Sequence, residues 1–154
     1  MTRNDKVKVE RMVRKCMNVL KKKEYELDLR KFDVDRAVNK TRVVSKPNRT
    51  ASYYDPNWFV IQINLNPWPN CDRSHYKPEY KSYDKDPVIG GRQIETLEQS
   101  LWLTVAHEVS HYVQYRHCPR IKRFRGKYEK SHGDCFKQIY RYLRRDFINP
   151  MLDG

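Results

Sequence analysis

Residues 92–116 read RQIETLEQSLWLTVAHEVSHYVQYR, and this stretch decides the fold. Ile94, Leu97, Leu101, Val105, Val109 and Tyr112 recur at steps of three and four, the spacing of one side of an α-helix, and Pro119 closes the segment. A helix of this length and apolarity is expected to be largely buried. Downstream, 120–130 reads as a basic loop containing Gly126. Ser131-His132-Gly133-Asp134 then has the form of a capping box, opening a last helix with Phe136, Tyr140, Leu143 and Phe147 on one stripe. Asn149-Pro150 is expected to end that helix.

Upstream, 66–91 carries Pro67, Pro69, Pro78, Pro87 and the pair Gly90-Gly91, which marks a long connection. Its Trp68, Tyr76, Tyr80 and Tyr83 offer contact surface, and packing onto its own domain is the expected use. Trp58–Leu65 is the clearest strand, with Phe59, Ile61, Ile63 and Leu65 on one face. Asp55-Pro56-Asn57 supplies a turn that joins it to Tyr53-Tyr54 as a hairpin. Arg42–Ser45, Thr50–Tyr54 and the alternating Tyr25, Leu27 and Leu29 read as further extended segments. At the amino terminus, Val9, Val13, Cys16 and Leu20 form one stripe of a basic amphipathic helix over 5–23. Helices and short strands in this order predict an α+β fold in one domain covering 1–154.

Composition agrees with a single folded domain. The chain has 154 residues, 38% hydrophobic and 12% aromatic, including eleven Tyr and three Trp, too many for a disordered chain. No run of about 18 apolar residues occurs and the amino terminus is charged, so neither a membrane span nor a secretory signal is expected. The prediction is a soluble intracellular protein without membrane contact. Net charge is +13, the electrostatic footprint of a protein that works near a polyanion, nucleic acid first. Cys16, Cys71, Cys118 and Cys135 form no Cys-x-x-Cys, so reduced, partly buried thiols are expected in place of a disulfide scaffold or zinc knuckle.

The chemistry lies in His107-Glu108-Val109-Ser110-His111. Four residues advance a helix by about 400°, so both imidazoles leave the same side one turn apart and can share an ion about 2.0 to 2.1 Å from each nitrogen. Glu108 sits about 100° round, beside the ion, where its carboxylate can hold and deprotonate an attacking water. A catalytic zinc of this kind takes a third protein ligand and keeps one position open. His132 is the expected third ligand, because it lies four residues before Phe136 and so extends the inward stripe of the last helix. His117 and Asp134 are the alternatives. His117 has the ten-residue spacing from His107 of the extended metzincin motif, but Gln114 stands where that motif turns on Gly. Asp134 is suited to capping. His75 reads as an exposed loop residue.

Residues 120–145 hold ten basic residues, Arg120, Lys122, Arg123, Arg125, Lys127, Lys130, Lys137, Arg141, Arg144 and Arg145, against Glu129 and Asp134. Phe124, Tyr128, Tyr140 and Tyr142 are interleaved with them, and a cationic surface with aromatic faces suits phosphates and unstacked bases. These ten are the candidate nucleic-acid contacts.

The order of elements, with His107-Glu108-Val109-Ser110-His111 followed by His132-Gly133-Asp134-Cys135-Phe136-Lys137, resembles the SprT-like zinc metalloprotease domain, the family of Spartan, over residues 10 to 148. The resemblance rests on H-E-x-x-H and H-G-x-x-F after an edge-type strand ending in Leu65-Asn66-Pro67. It implies a zincin-like α+β fold, a small antiparallel or mixed sheet packed on the active-site helix. It also implies a Zn2+ cofactor held by His107, His111 and His132, and Glu108 as catalytic base. The implied reaction is hydrolysis of proteins associated with or crosslinked to DNA, with DNA, single-stranded or crosslinked, as the expected partner. No paired cysteines occur, so the carboxy-terminal zinc ribbon of many such proteins is not expected, leaving a minimal catalytic domain. The edge-type strand Trp58–Leu65 is the expected site of substrate β-addition. A second class of function is a noncatalytic DNA-binding protein whose zinc is structural, its fourth ligand supplied by Cys135 or Cys118.

Overall fold

The computed structural model describes residues 2–45, 52–65, 76–77, 88–89, 92–93, 96–119 and 130–154. Helix α1 spans Arg3–Lys21, started by a reciprocal cap in which Thr2 Oγ1 accepts from Asp5 N and Asp5 Oδ2 accepts from Thr2 N. Its apolar stripe is buried as the periodicity predicts: Val9, Val13, Cys16 and Leu20, with Met12 and Met17 beside them. The expected extended segment at Tyr25–Leu29 is instead a run of turns. Leu27 N donates to Lys23 O and Leu29 N to Glu24 O, so the backbone is satisfied locally, and Asp28 takes the left-handed conformation at φ 52°. Leu27 and Leu29 are buried and Tyr25 is exposed, an alternation that a turn produces as readily as a strand. Helix α2, Val34–Asn39, follows, capped by the Asp33 carboxylate accepting from Arg36 N.

Strands β1 (Thr41–Val44), β2 (Tyr53–Asp55) and β3 (Val60–Asn64) form a mixed sheet in the order β1-β3-β2. β1 pairs with β3 in parallel, and β2 pairs with β3 antiparallel through the expected hairpin. The strand expected at the sheet edge is therefore the central one. Its residues Ile61, Gln62, Ile63 and Asn64 are all buried, and Phe59 belongs to the turn before it, at φ 56°, with the Arg116 guanidinium 5.1 Å above its ring. Among the described residues the edge strands are β1 and β2. A short second sheet pairs β4 (Tyr76–Lys77) with β5 (Arg92–Gln93).

Helix α3 runs Leu97–His117, beginning five residues later than the periodicity predicts. Thr96 fixes its start: Thr96 Oγ1 accepts from Gln99 N and Gln99 Oε1 from Thr96 N. It is the central element, packed against α1, β2, β3 and the last helices, and it is buried on nearly every side from Leu101 to His117. After it come α4 (Asp134–Leu143), a π-helical turn (Arg144–Ile148) and α5 (Asn149–Asp153). The Ser131 capping box is not made: Gly133 is the N-cap and no side chain caps the helix. Nor does Asn149-Pro150 end the helical run, because proline is tolerated in the first turn of α5, where its missing N–H is not needed. Among the described residues no helix is long and apolar enough to cross a membrane.

Candidate metal centre

α3 presents His107 and His111 one turn apart with their ring centroids at 4.9 Å. The third imidazole comes from the turn just ahead of α4. His132 Nε2 lies 3.1 Å from His111 Nε2 and 3.4 Å from His107 Nε2, and the ligand atoms of all three fall within 4.8 Å of one another. The three histidines could hold a metal ion. Ring nitrogens at such distances can offer their lone pairs to one shared cation.

The surroundings aim the rings. His111 Nδ1 donates to Gln114 Oε1 at 3.1 Å, which leaves the Nε2 lone pair turned toward the other histidines. Gln114 Nε2 in turn donates to Lys130 O, so one buried side chain ties the helix to the segment that delivers His132. Ser131 Oγ lies 3.3 Å from His132 Nδ1, an acceptor for that ring's proton. Phe136 backs all three: it stacks on His111 at 4.2 Å between centroids and meets His107 and His132 at 5.0 Å each. Burial pushes the His111 pKa down to about 3, helped by the nearby His107, while the bond to Gln114 works the other way. His111 is therefore neutral at ordinary pH, the form that binds metal. Glu108 is buried with its Oε1 3.8 Å from His107 Nε2, next to the convergence point and outside the three-ligand group.

These residues floor a cleft of about 370 Å³, with Tyr53, Tyr54 and Pro56 of the β2 hairpin on one wall and Ser131 on the other. Tyr54 stacks on Tyr115 at 5.7 Å, which docks the β2 edge against α3.

No protein-family model, curated protein or solved structure matches this chain.

The alternatives to His132 are accounted for elsewhere. His117 is buried at the end of α3, where its Nδ1 donates to Arg30 O and its own carbonyl accepts from Arg30 N. Burial also holds its pKa low. Asp134 is exposed in the first turn of α4 and does not join the group. Cys118 and Cys135 do not join it either.

Of the candidate nucleic-acid contacts, Arg120, Lys122, Arg123, Arg125 and Lys127 lie outside the described residues, as do the aromatics Phe124 and Tyr128. Lys130 and Arg145 are exposed, and Lys137 and Arg141 half-buried. Arg145 is engaged by Asp146 at 2.8 Å. Arg144 must be removed from the set: it is 1% exposed, its Nε donating to Asn149 Oδ1 and its Nη1 to Tyr140 OH. Tyr140 is fully buried, so its ring is not available to a base. Gln114 is the functional residue that sequence reasoning passed over, although its place three residues after His111 puts it on the same helix face.

Proposed function

We propose that this chain is a zinc-dependent metallopeptidase with a zincin-like, SprT-like arrangement, acting on proteins associated with or crosslinked to DNA. The observation that carries this reading is the convergence of three histidine Nε2 atoms beside a buried glutamate. Two nitrogens each about 2.05 Å from a tetrahedral ion are about 3.3 Å apart, and the separations from His132 are 3.1 and 3.4 Å. Three imidazoles suit zinc in ligand type, and the three-ligand set leaves a position for water.

The chemistry a bound zinc ion supplies is Lewis acidity, lowering the pKa of water toward about 7 and polarising the scissile carbonyl. Glu108 is placed to take the proton of the attacking water and deliver it to the leaving amine. Phe136 excludes solvent from behind the histidines. Beside the cleft, β2 pairs with β3 on one side only among the described residues, so its outer backbone edge suits an extended substrate segment, in place of the central strand first expected to do this. Main-chain pairing reads shape more than side chains, which fits substrates chosen by their position on DNA. The net charge of +13 and the exposed Lys130 and half-buried Lys137 and Arg141 near the His132 segment support the DNA partner.

The structural-zinc reading needs a fourth protein ligand, and among the described residues the group has none. Glu108→Ala is expected to abolish cleavage of an unfolded or DNA-bound protein while one zinc per chain stays bound. Undiminished peptidase activity in metal-loaded E108A would remove the proposed base.

A further inference from the structure

We propose that Cys118 and Cys135 are a reversible redox pair, closed to a disulfide by a small anionic disulfide of the oxidised-glutathione type. Their Sγ atoms lie 3.1 Å apart, about 1 Å beyond a disulfide bond. Cys118 sits at the carboxy-terminal cap of α3 and Cys135 in the first turn of α4, two elements already packed on each other. Both are reduced and buried.

The approach we assign is from the Cys118 side. Cys118 lines a second cleft, of about 420 Å³, whose walls include Arg30, Lys31 and Arg116. That cationic rim suits the carboxylates of glutathione. Cys16 has no comparable setting, being wholly enclosed in the core with its thiol pushed up by burial. The exchange balances in two displacements. The Cys118 thiolate attacks one glutathione sulfur, the glutathione S–S bond breaks, and one glutathione thiolate leaves with the electron pair. Cys135, its proton given to solvent, then attacks the Cys118 sulfur and expels the second glutathione thiolate. Two protein thiols are oxidised and one glutathione disulfide is reduced to two thiols.

The closed ring would enclose 119–134, and so His132. Oxidation therefore staples the segment that delivers the third histidine to the end of the helix that carries the other two. The pair stands on its own geometry and does not depend on the peptidase reading.

The test is to incubate the reduced full chain with oxidised glutathione, block remaining thiols by alkylation, and map peptides without reduction. The expected result is a crosslink joining Cys118 to Cys135, with Cys16 alkylated only after unfolding. A rise in Tm of about 6–12 °C, reversed by dithiothreitol, should accompany it. Cys71→Ser should keep the crosslink, and Cys118→Ala and Cys135→Ala should each lose it together with the Tm rise. Alkylation of both cysteines after oxidation, a mixed disulfide at Cys118 that never resolves, or a crosslink to Cys16 or Cys71 would overturn the proposal. Because the parent chain alone yields these maps, a variant that fails to fold leaves the decision intact.

Discussion

Gln114 holds one nitrogen of His111 so that the other is offered to the cleft, and it does so from inside the protein, where no water competes for the bond. Gln114→Ala is expected to weaken metal binding about 10–100-fold, read by competition with a chelating dye, because the ring loses both its tautomer preference and its orientation. His111 also makes the metal-free protein sensitive to acid. Its pKa falls from an ordinary 6.5 to about 3 on folding, so between those values the unfolded chain binds more protons than the folded one. The stability this neutral ring permits is fully present above about pH 6.5 and drains away as pH falls toward 3. Urea melts of the metal-stripped chain across that window should show the decline, and His111→Gln should flatten it. Arg144 is a different kind of residue. Arg144→Met is expected to change stability, by about 1–3 kcal/mol through its bonds to Asn149 and Tyr140, and to leave DNA affinity unchanged. At this scale His107 and His111 were legible because their spacing alone puts them on one helix face, and His132 because it stands one step of four ahead of Phe136. Arg144 was misread because counting basic residues ignores direction, although it continues Phe136 and Tyr140 at steps of four, the inward stripe.

Among the elements, α3 bears most of the site, and its register is set by the reciprocal cap at Thr96 and Gln99. Thr96→Ala should cost about 1 kcal/mol, a fall in Tm of about 2–4 °C measurable by calorimetry. That cap was legible in the sequence as Thr-x-x-Gln, but the apolar spacing begins at Ile94 and drew the expected helix start too early. The converse holds at Ser131, where the spacing of a capping box is present and the bond is not made, because Ser131 Oγ stands beside the His132 ring instead. Helix α2 escaped notice because six residues are too few to show a period. The place of β3 in its sheet was beyond local reading altogether. An alternating strand looks the same at an edge or in the middle, and only the parallel pairing with β1, from across the segment that carries β2, decides it.

For the whole molecule, the histidines join parts of the chain 25 residues apart in sequence, His107 to His132, so a bound metal would also tie α3 to the turn ahead of α4. Saturation with zinc at about 100 times its Kd should add about 2.7 kcal/mol of stability, a rise in Tm of about 5–10 °C that a chelator removes. A shift of that size in the His132→Ala variant would show that the tie lies elsewhere. DNA binding should weaken steeply as salt rises, the slope of log K against log salt shrinking by about 1 for each phosphate contact removed. Lys137→Ala and Arg141→Ala are the variants to compare, and a salt-independent affinity would refute contact with phosphates.

The mutual hold between Arg30 and His117, each backbone or ring group answering the other across 87 residues, joins the first fifth of the chain to the end of α3. Helix α1 likewise buries its stripe against α3 and α4, which are synthesised long after it. On the ribosome, then, α1 emerges with only α2, close behind it, to cover part of its apolar flank. The imidazole triad can assemble only once the final helices have been made and docked, so a nascent chain stalled before α4 would carry an inert helix. Refolding should accordingly be paced by contacts distant in sequence and be slower than for a helical bundle of equal size.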